Sequence, residues 1–266
     1  MHYWRLYRVR TSQRYPGGVK TSNPAFGGNA FNVGVMPAYG SQSMTVNGTI
    51  NKALVLLLCV LATAAWTWSQ FFNTRDASVV MPYLVAGSIG GLVMALVTTF
   101  KKEWAPVTAP IYALLEGLAL GGISAIFELR YPGIAMEAVA LTFGTCVCML
   151  VAYRTGMIKV TQKFMLGVVA ATGGIFVVYL VSMVLGLFHI QVPGIYGSGP
   201  VGILFGLAVV VIAALNLVLD FSMIDQGARN GLPKYMEWYS AFGLMVTLVW
   251  LYIEILNLLN RLRDRR

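Results

Sequence analysis

Seven apolar stretches, each long enough to cross roughly 30 Å of hydrocarbon as a helix, divide this chain at about 53–72, 79–100, 106–127, 134–153, 164–188, 200–225 and 240–260. Each stops at charge, Pro or Gly: Asn73-Thr74-Arg75-Asp76, Lys101-Lys102-Glu103-Trp104, Arg130-Tyr131-Pro132-Gly133, Arg154-Thr155-Gly156, Val192-Pro193-Gly194 and Gly231-Leu232-Pro233. Such residues mark where a helix leaves the bilayer. No Asp, Glu, Lys or Arg occurs between Lys163 and Asp220, a run explained by at least two lipid-embedded spans. The pattern predicts an all-α membrane protein with seven transmembrane helices in residues 49–266. Residues 1–48 are a different material, basic at Arg5, Arg8, Arg10, Arg14 and Lys20 and then rich in Gly, Asn, Ser and Pro. They read as a flexible, basic, cytoplasmic tail, and not as a signal peptide, because no apolar run follows Met1 until Ala53.

Composition agrees: 58% of the 266 residues are hydrophobic and 11% charged, where soluble domains carry roughly 25%. Trp66, Trp68, Trp104, Tyr131, Tyr153, Trp238 and Tyr239 fall near span ends, as interfacial aromatics do. With the N-terminus inside, the inner segments hold thirteen Lys and Arg and the outer loops two, Arg75 and Arg130. The count places the N-terminus in the cytoplasm. Seven crossings then leave Arg261, Arg263, Arg265 and Arg266 outside. Either the early signals override them, which is favoured, or one segment is re-entrant.

Candidate chemistry is sparse. Two histidines, His2 and His189, and three cysteines within apolar runs leave little material for a Ser-His pair, a His-ligated metal or a haem, so no enzyme and no cofactor is expected. Cys146 and Cys148 are two apart, on different helix faces. Gly87 with Gly90 and Gly91, Gly117-x-x-x-Gly121, Gly173-Gly174 and Gly202-x-x-x-Gly206 read as helix-packing positions. Arg and aromatics in residues 3–10 suit anionic headgroups better than nucleic acid, which is not expected as a partner.

Four acids lie within spans: Glu116, Glu137, Asp220 and Glu254. A carboxylate at the bilayer centre costs about 2.5–3.5 kcal/mol on insertion scales and so tends to face a bundle interior and mark function. Glu137 is near a span end and reads as interfacial; Glu116, beside Gly117, points into the bundle. Asn216 lies one turn from Asp220, and Thr247, Asn257 and Arg261 share a stripe with Glu254. With no Lys or Arg at a span centre, the acids share protons, hold a cation or meet each other. Two close carboxylates titrate as a unit, so Asp220 and Glu254 are the candidate proton and cation site, with Asn216, Glu116, Asn257 and Thr247 in support. The bland alternative is a protonated acid hydrogen-bonding across helices.

Several motifs carry a resemblance: Ser22-Asn23-Pro24-Ala25-Phe26, Leu115-Glu116-Gly117-Leu118 with Leu120-Gly121, Tyr131-Pro132-Gly133-Ile134 with Glu137-Ala138 and Thr142, Leu219-Asp220-Phe221, and Leu251-Tyr252-Ile253-Glu254-Ile255-Leu256-Asn257-Leu258. From about residue 22 to 262 the chain resembles the Bax inhibitor-1 (YccA-type, transmembrane BAX inhibitor motif) family, in its bacterial long-tail branch. The resemblance implies two three-helix layers around a central seventh helix, and a pH-sensitive calcium leak governed by Asp220 and Glu254, in a bacterial inner membrane. It departs from the family in having Glu at 254, where relatives have Asp, and no Arg in the second span. The function expected is therefore a pH-sensitive calcium or other cation leak channel or exchanger in the lipid bilayer, with calcium bound by Asp220 and Glu254. The alternative is a non-transporting interaction protein that modulates a membrane protease or a stress or cell-death complex.

One expectation is geometric. Two straight helices joined near residues 230–234 would leave Asp220 and Glu254 about 15 Å apart in depth. Their meeting requires a bend or break within residues 240–245, with residues 233–242 lying along the inner surface.

Overall fold

The computed structural model describes residues 43–188 and 195–265; the basic tail expected at 1–48 falls outside them except for its last six residues. Seven helices follow in order: α1 (Val46–Thr74), α2 (Ala77–Phe100), α3 (Ala105–Arg130), α4 (Ile134–Arg154), α5 (Gln162–Leu187), α6 (Pro200–Arg229) and α7 (Met236–Asp264). All seven are long and apolar enough to cross a membrane. Their ends have local causes. Thr45 caps α1 by accepting from the Gly48 N–H, and Asp76 caps α2 through Ser78. Pro200 stands in the first turn of α6, where its missing N–H costs nothing.

Helices α1, α2 and α3 pack together as one layer, α4 and α5 lie with α6 in a second, and α7 touches α1, α3, α4 and α6. Small residues set the first layer's spacing. A side chain on Gly117 would run into the backbone of Val60, and one on Gly121 into that of Ala64, so α3 lies directly on α1. Gly173 and Gly174 behave otherwise: a Cβ on either would meet open space. The packing role expected of that pair is not realised, because α5 packs chiefly on α6 and is otherwise turned outward.

Contacts at the helix ends fix which loops share a side. Ser43 pairs with Pro233, the Met44 N–H donates to the Leu232 carbonyl, and Lys102 stands over the Tyr239 ring. The start of α1, the α2–α3 turn and the α6–α7 loop therefore form one face. At the opposite face, Arg263 reaches Glu137 and the Pro132 carbonyl, and Asp264 meets Arg130 and the Tyr131 hydroxyl. The ends of the described chain lie on opposite faces, as seven crossings require. Glu137 sits at that boundary, as expected, but pairs with Arg263 at 2.6 Å.

Helix α7 runs unbroken from Met236 to Asp264. The break expected within 240–245 does not form, and the segment before it is not a surface strip: Glu237, Tyr239, Ser240, Ala241 and Phe242 are buried. Tyr239 packs with Met44, Met223 and Met236 in a core cluster, so it is not an interfacial aromatic. Hydrophobic burial of these side chains, about 1.5–3 kcal/mol for a large one in water, outweighs the interfacial preference that their types suggest.

Candidate functional site

Near the carboxyl end of α7, Glu254 is 4% exposed although it lies in an apolar helix. Two hydrogen bonds hold it. The Tyr179 hydroxyl of α5 donates to its Oε1 at 2.8 Å, and the Trp250 indole N–H, one turn earlier on α7, donates to the same oxygen at 3.3 Å. Bonds to a charged acceptor contribute roughly 1.5–3 kcal/mol each, which offsets much of the cost of burying the acid. Oε2 takes no hydrogen bond among the described residues. Glu254 borders a cavity of about 400 Å³ lined also by Tyr179, Tyr196, Asn257, Asn260, Arg261 and Asp264. Asp264 is exposed, so the cavity opens at the face that carries the α3–α4 loop.

Arg261 changes the reading of this acid as uncompensated. Its side chain folds back into the bundle, 7% exposed, and its Nη1 donates to the carbonyls of Ile195 at 3.0 Å and Gly202 at 2.6 Å. Its charge acts on Glu254 across the cavity. One of the arginines left outside by the orientation count is thus absorbed into the fold, and Arg263 is neutralised by Glu137.

Asp220 is fully buried on α6, close enough to Cys146 of α4 for its charge to reach the thiol. Gly206 faces Leu258 and Arg261, at 3.4 and 3.2 Å from a Cβ placed there, and α6 ends at Arg229 where α7 begins at Met236. Both pairings give the same antiparallel register, with residue numbers summing to about 465. Asp220 therefore stands level with about residue 245 on α7, some nine residues or ~13.5 Å of helix from Glu254. The sequence expects a separation short enough for a shared proton or a bridging water or ion; on this register, α7 being continuous through 240–245, the two acids stand at different depths.

The supporting residues divide accordingly. Asn257 lines the Glu254 cavity. Thr247 lies near the level of Asp220, its hydroxyl 3.3 Å from the Gly243 carbonyl. Asn216 donates to Thr172 of α5 at 2.8 Å and to the Ile212 carbonyl of its own helix. Glu116 packs against Gly91 in the α2–α3 seam, apart from either acid. Among the described residues no cluster of three or more His, Cys, Asp or Glu could hold a metal ion.

Sequence reasoning missed two residues. Tyr179 reads as one more large side chain in an apolar run. Glu237 reads as part of a polar loop, yet it is fully buried and receives the Thr45 N–H and hydroxyl at 3.0 and 2.8 Å, Lys234 at 2.8 Å and Lys52 at 3.1 Å. It closes the start of α1 as a Glu three residues past the cap does in a capping box. Gly48 holds that position in the chain, and a Cβ there would collide with the Glu237 carboxylate. No local motif reveals a capping acid supplied from 192 residues away.

Comparison with known proteins agrees with this architecture. Neither individually curated proteins nor solved structures give a match. A family model described as Bax inhibitor 1 like matches residues 20–264. Seven helices long enough to span, with α7 packed between the two layers, and a match over nearly the whole chain place this protein in the Bax inhibitor 1 like family.

Proposed function

We propose that this protein is a pH-sensitive cation leak pathway, with calcium the favoured ion, in which Glu254 is the carboxylate that an entering cation meets. The observation that carries the reading is a buried carboxylate at the floor of a polar cavity open to one membrane face, with one oxygen held by Tyr179 and Trp250 and the other uncommitted. Calcium takes six to eight oxygen ligands in a tight site, which the carboxylates of Glu254 and Asp264 and two asparagines do not supply. A leak needs the reverse: binding favourable enough to enter and weak enough to leave. In this scheme Arg261 acts as a tethered counter-charge that an incoming cation must outcompete. Asp220, about 13.5 Å further along the helix axis, is a second acid on the path. Protonation of Glu254 removes the charge that attracts the cation, which links flux to pH. By the Lys and Arg count, the face with the start of α1 is cytoplasmic and the cavity opens outward, in a bacterial inner membrane. We assign the protein no catalytic activity.

Calcium flux into liposomes carrying the purified protein, at two pH values, tests this. Wild-type protein should show pH-dependent flux, and Glu254→Gln should abolish the dependence while the protein stays folded. A pH response retained in both Glu254→Gln and Asp220→Asn sinks the reading. The separation of the two acids favours a second one, a non-transporting partner of a membrane protease or stress complex. Its contact would be the basic tail, whose last residues Ser43 and Met44 are anchored to the α6–α7 loop.

A further inference from the structure

Two opposite buried charges line the cavity at the end of α7 without meeting, and the third charge on its lining, Asp264, is already paired with Arg130 at 2.8 Å. Glu254 and Arg261 lie seven residues apart on one helix face, are 4% and 7% exposed, and border the same space of about 400 Å³, yet form no ion pair with each other. Glu254 keeps Oε2 uncommitted among the described residues. Arg261 spends Nη1 on two carbonyls, and a guanidinium has five N–H donors, so among the described residues donors remain for whatever occupies the cavity. Asn257 lies between the two charges on the same face. The opposite wall is aromatic, with Tyr179 and Tyr196 stacked at 6.3 Å between ring centroids.

A lone cation would satisfy the acid and be repelled by Arg261; a lone anion would do the reverse. One molecule carrying both charges complements both, and ligand pockets begin at roughly 300 Å³, so the space suits a small solute. We infer that this cavity binds a small zwitterion, an α-amino acid whose ammonium group meets Glu254, whose carboxylate meets the open edge of Arg261, and whose side chain lies along Tyr179 and Tyr196. The inference shares Glu254 with the leak reading but does not require that ions pass.

The test is calorimetric titration of the full-length protein in lipid nanodiscs with glycine, L-leucine and L-phenylalanine. Two halves of leucine serve as controls: isoamylamine, which lacks the carboxylate, and 4-methylvalerate, which lacks the ammonium group. At least one amino acid should bind saturably, with both half-molecules at least tenfold weaker than leucine or undetectable. Glu254→Gln and Arg261→Lys should each weaken binding at least tenfold. Gln retains an acceptor for Tyr179 and Trp250, so Glu254→Gln decides the matter alone if the arginine variant does not fold. Binding by none of the three amino acids overturns the inference, as does unchanged binding by Glu254→Gln. Isoamylamine binding as tightly as leucine also overturns it and makes the cavity a cation site. Calcium flux on the same wild-type preparation separates the two readings: flux without amino-acid binding leaves the leak alone standing, and binding without flux does the opposite.

Discussion

Helix α7 buries a glutamate near each end, and the two are built differently. Glu237 is closed in: Oε1 receives the Thr45 N–H and hydroxyl and Lys234, Oε2 is ion-paired with Lys52, and Gly48 makes room for the carboxylate. Glu254 is held by one oxygen, faces a cavity, and has its counter-charge Arg261 across a gap. A buried acid ion-paired through both oxygens joins parts of the fold. One with an oxygen to spare, beside an opening, is available to a ligand. The distinction lies in the surroundings, since both residues are glutamates on the same helix.

The largest effect should come from opening the closed-in end. Glu237→Ala strands Lys52 and Lys234 and leaves the Thr45 N–H without its acceptor. Breaking a buried pair costs about 3–5 kcal/mol, and the partial exposure of both lysines brings the expectation to about 2–3 kcal/mol, read as a lower unfolding temperature in detergent. Gly48→Ala should act in the same direction more weakly, about 1–3 kcal/mol, because the carboxylate must move to admit a methyl group. If that variant is as stable as wild type, the close fit at the start of α1 is not what holds the two helices together.

At the open end the balance reverses. Glu254→Gln keeps an oxygen for Tyr179 and Trp250, so stability should change by less than about 1 kcal/mol while flux falls at least tenfold. The smallest effect belongs to an acid outside the membrane. Asp76 caps α2, and its bond to the Ser78 N–H lowers its pKa below the ordinary 3.8. Because the folded value is the lower one, the cap's contribution is complete above pH 3.8 and is lost as pH falls through the folded value. The unfolding temperatures of wild type and Asp76→Ala should therefore converge in acid; a gap that stays constant with pH would show that the cap acts without its charge.

Hydropathy alone located all seven helices, because burial of backbone polar groups in lipid leaves helices as the only spans available to such a chain. Their ends ran further than the apolar runs. Helix α1 begins at Val46 and not near Ala53 because Thr45 and Glu237 satisfy its first N–H groups, and α7 begins at Met236 because its first turns are packed against Met44 and Met223. Glu254 with Asn257 and Arg261 was visible as a polar stripe on one helix. Tyr179 was not, since a hydroxyl in an apolar run becomes meaningful only when another helix brings an acid to it. The relative depth of Asp220 and Glu254 was hidden for a related reason: depth depends on where helices begin, and the start of α7 is fixed by contacts with the start of α1.

The most direct test of the account is to measure stability and calcium flux together on Glu237→Gln and Glu254→Gln in the same liposome preparation. The account predicts opposite losses: Glu237→Gln unfolds at a lower temperature but keeps its flux per folded molecule, and Glu254→Gln keeps its unfolding temperature but loses flux and its pH dependence. Wild-type flux in folded Glu254→Gln would contradict it.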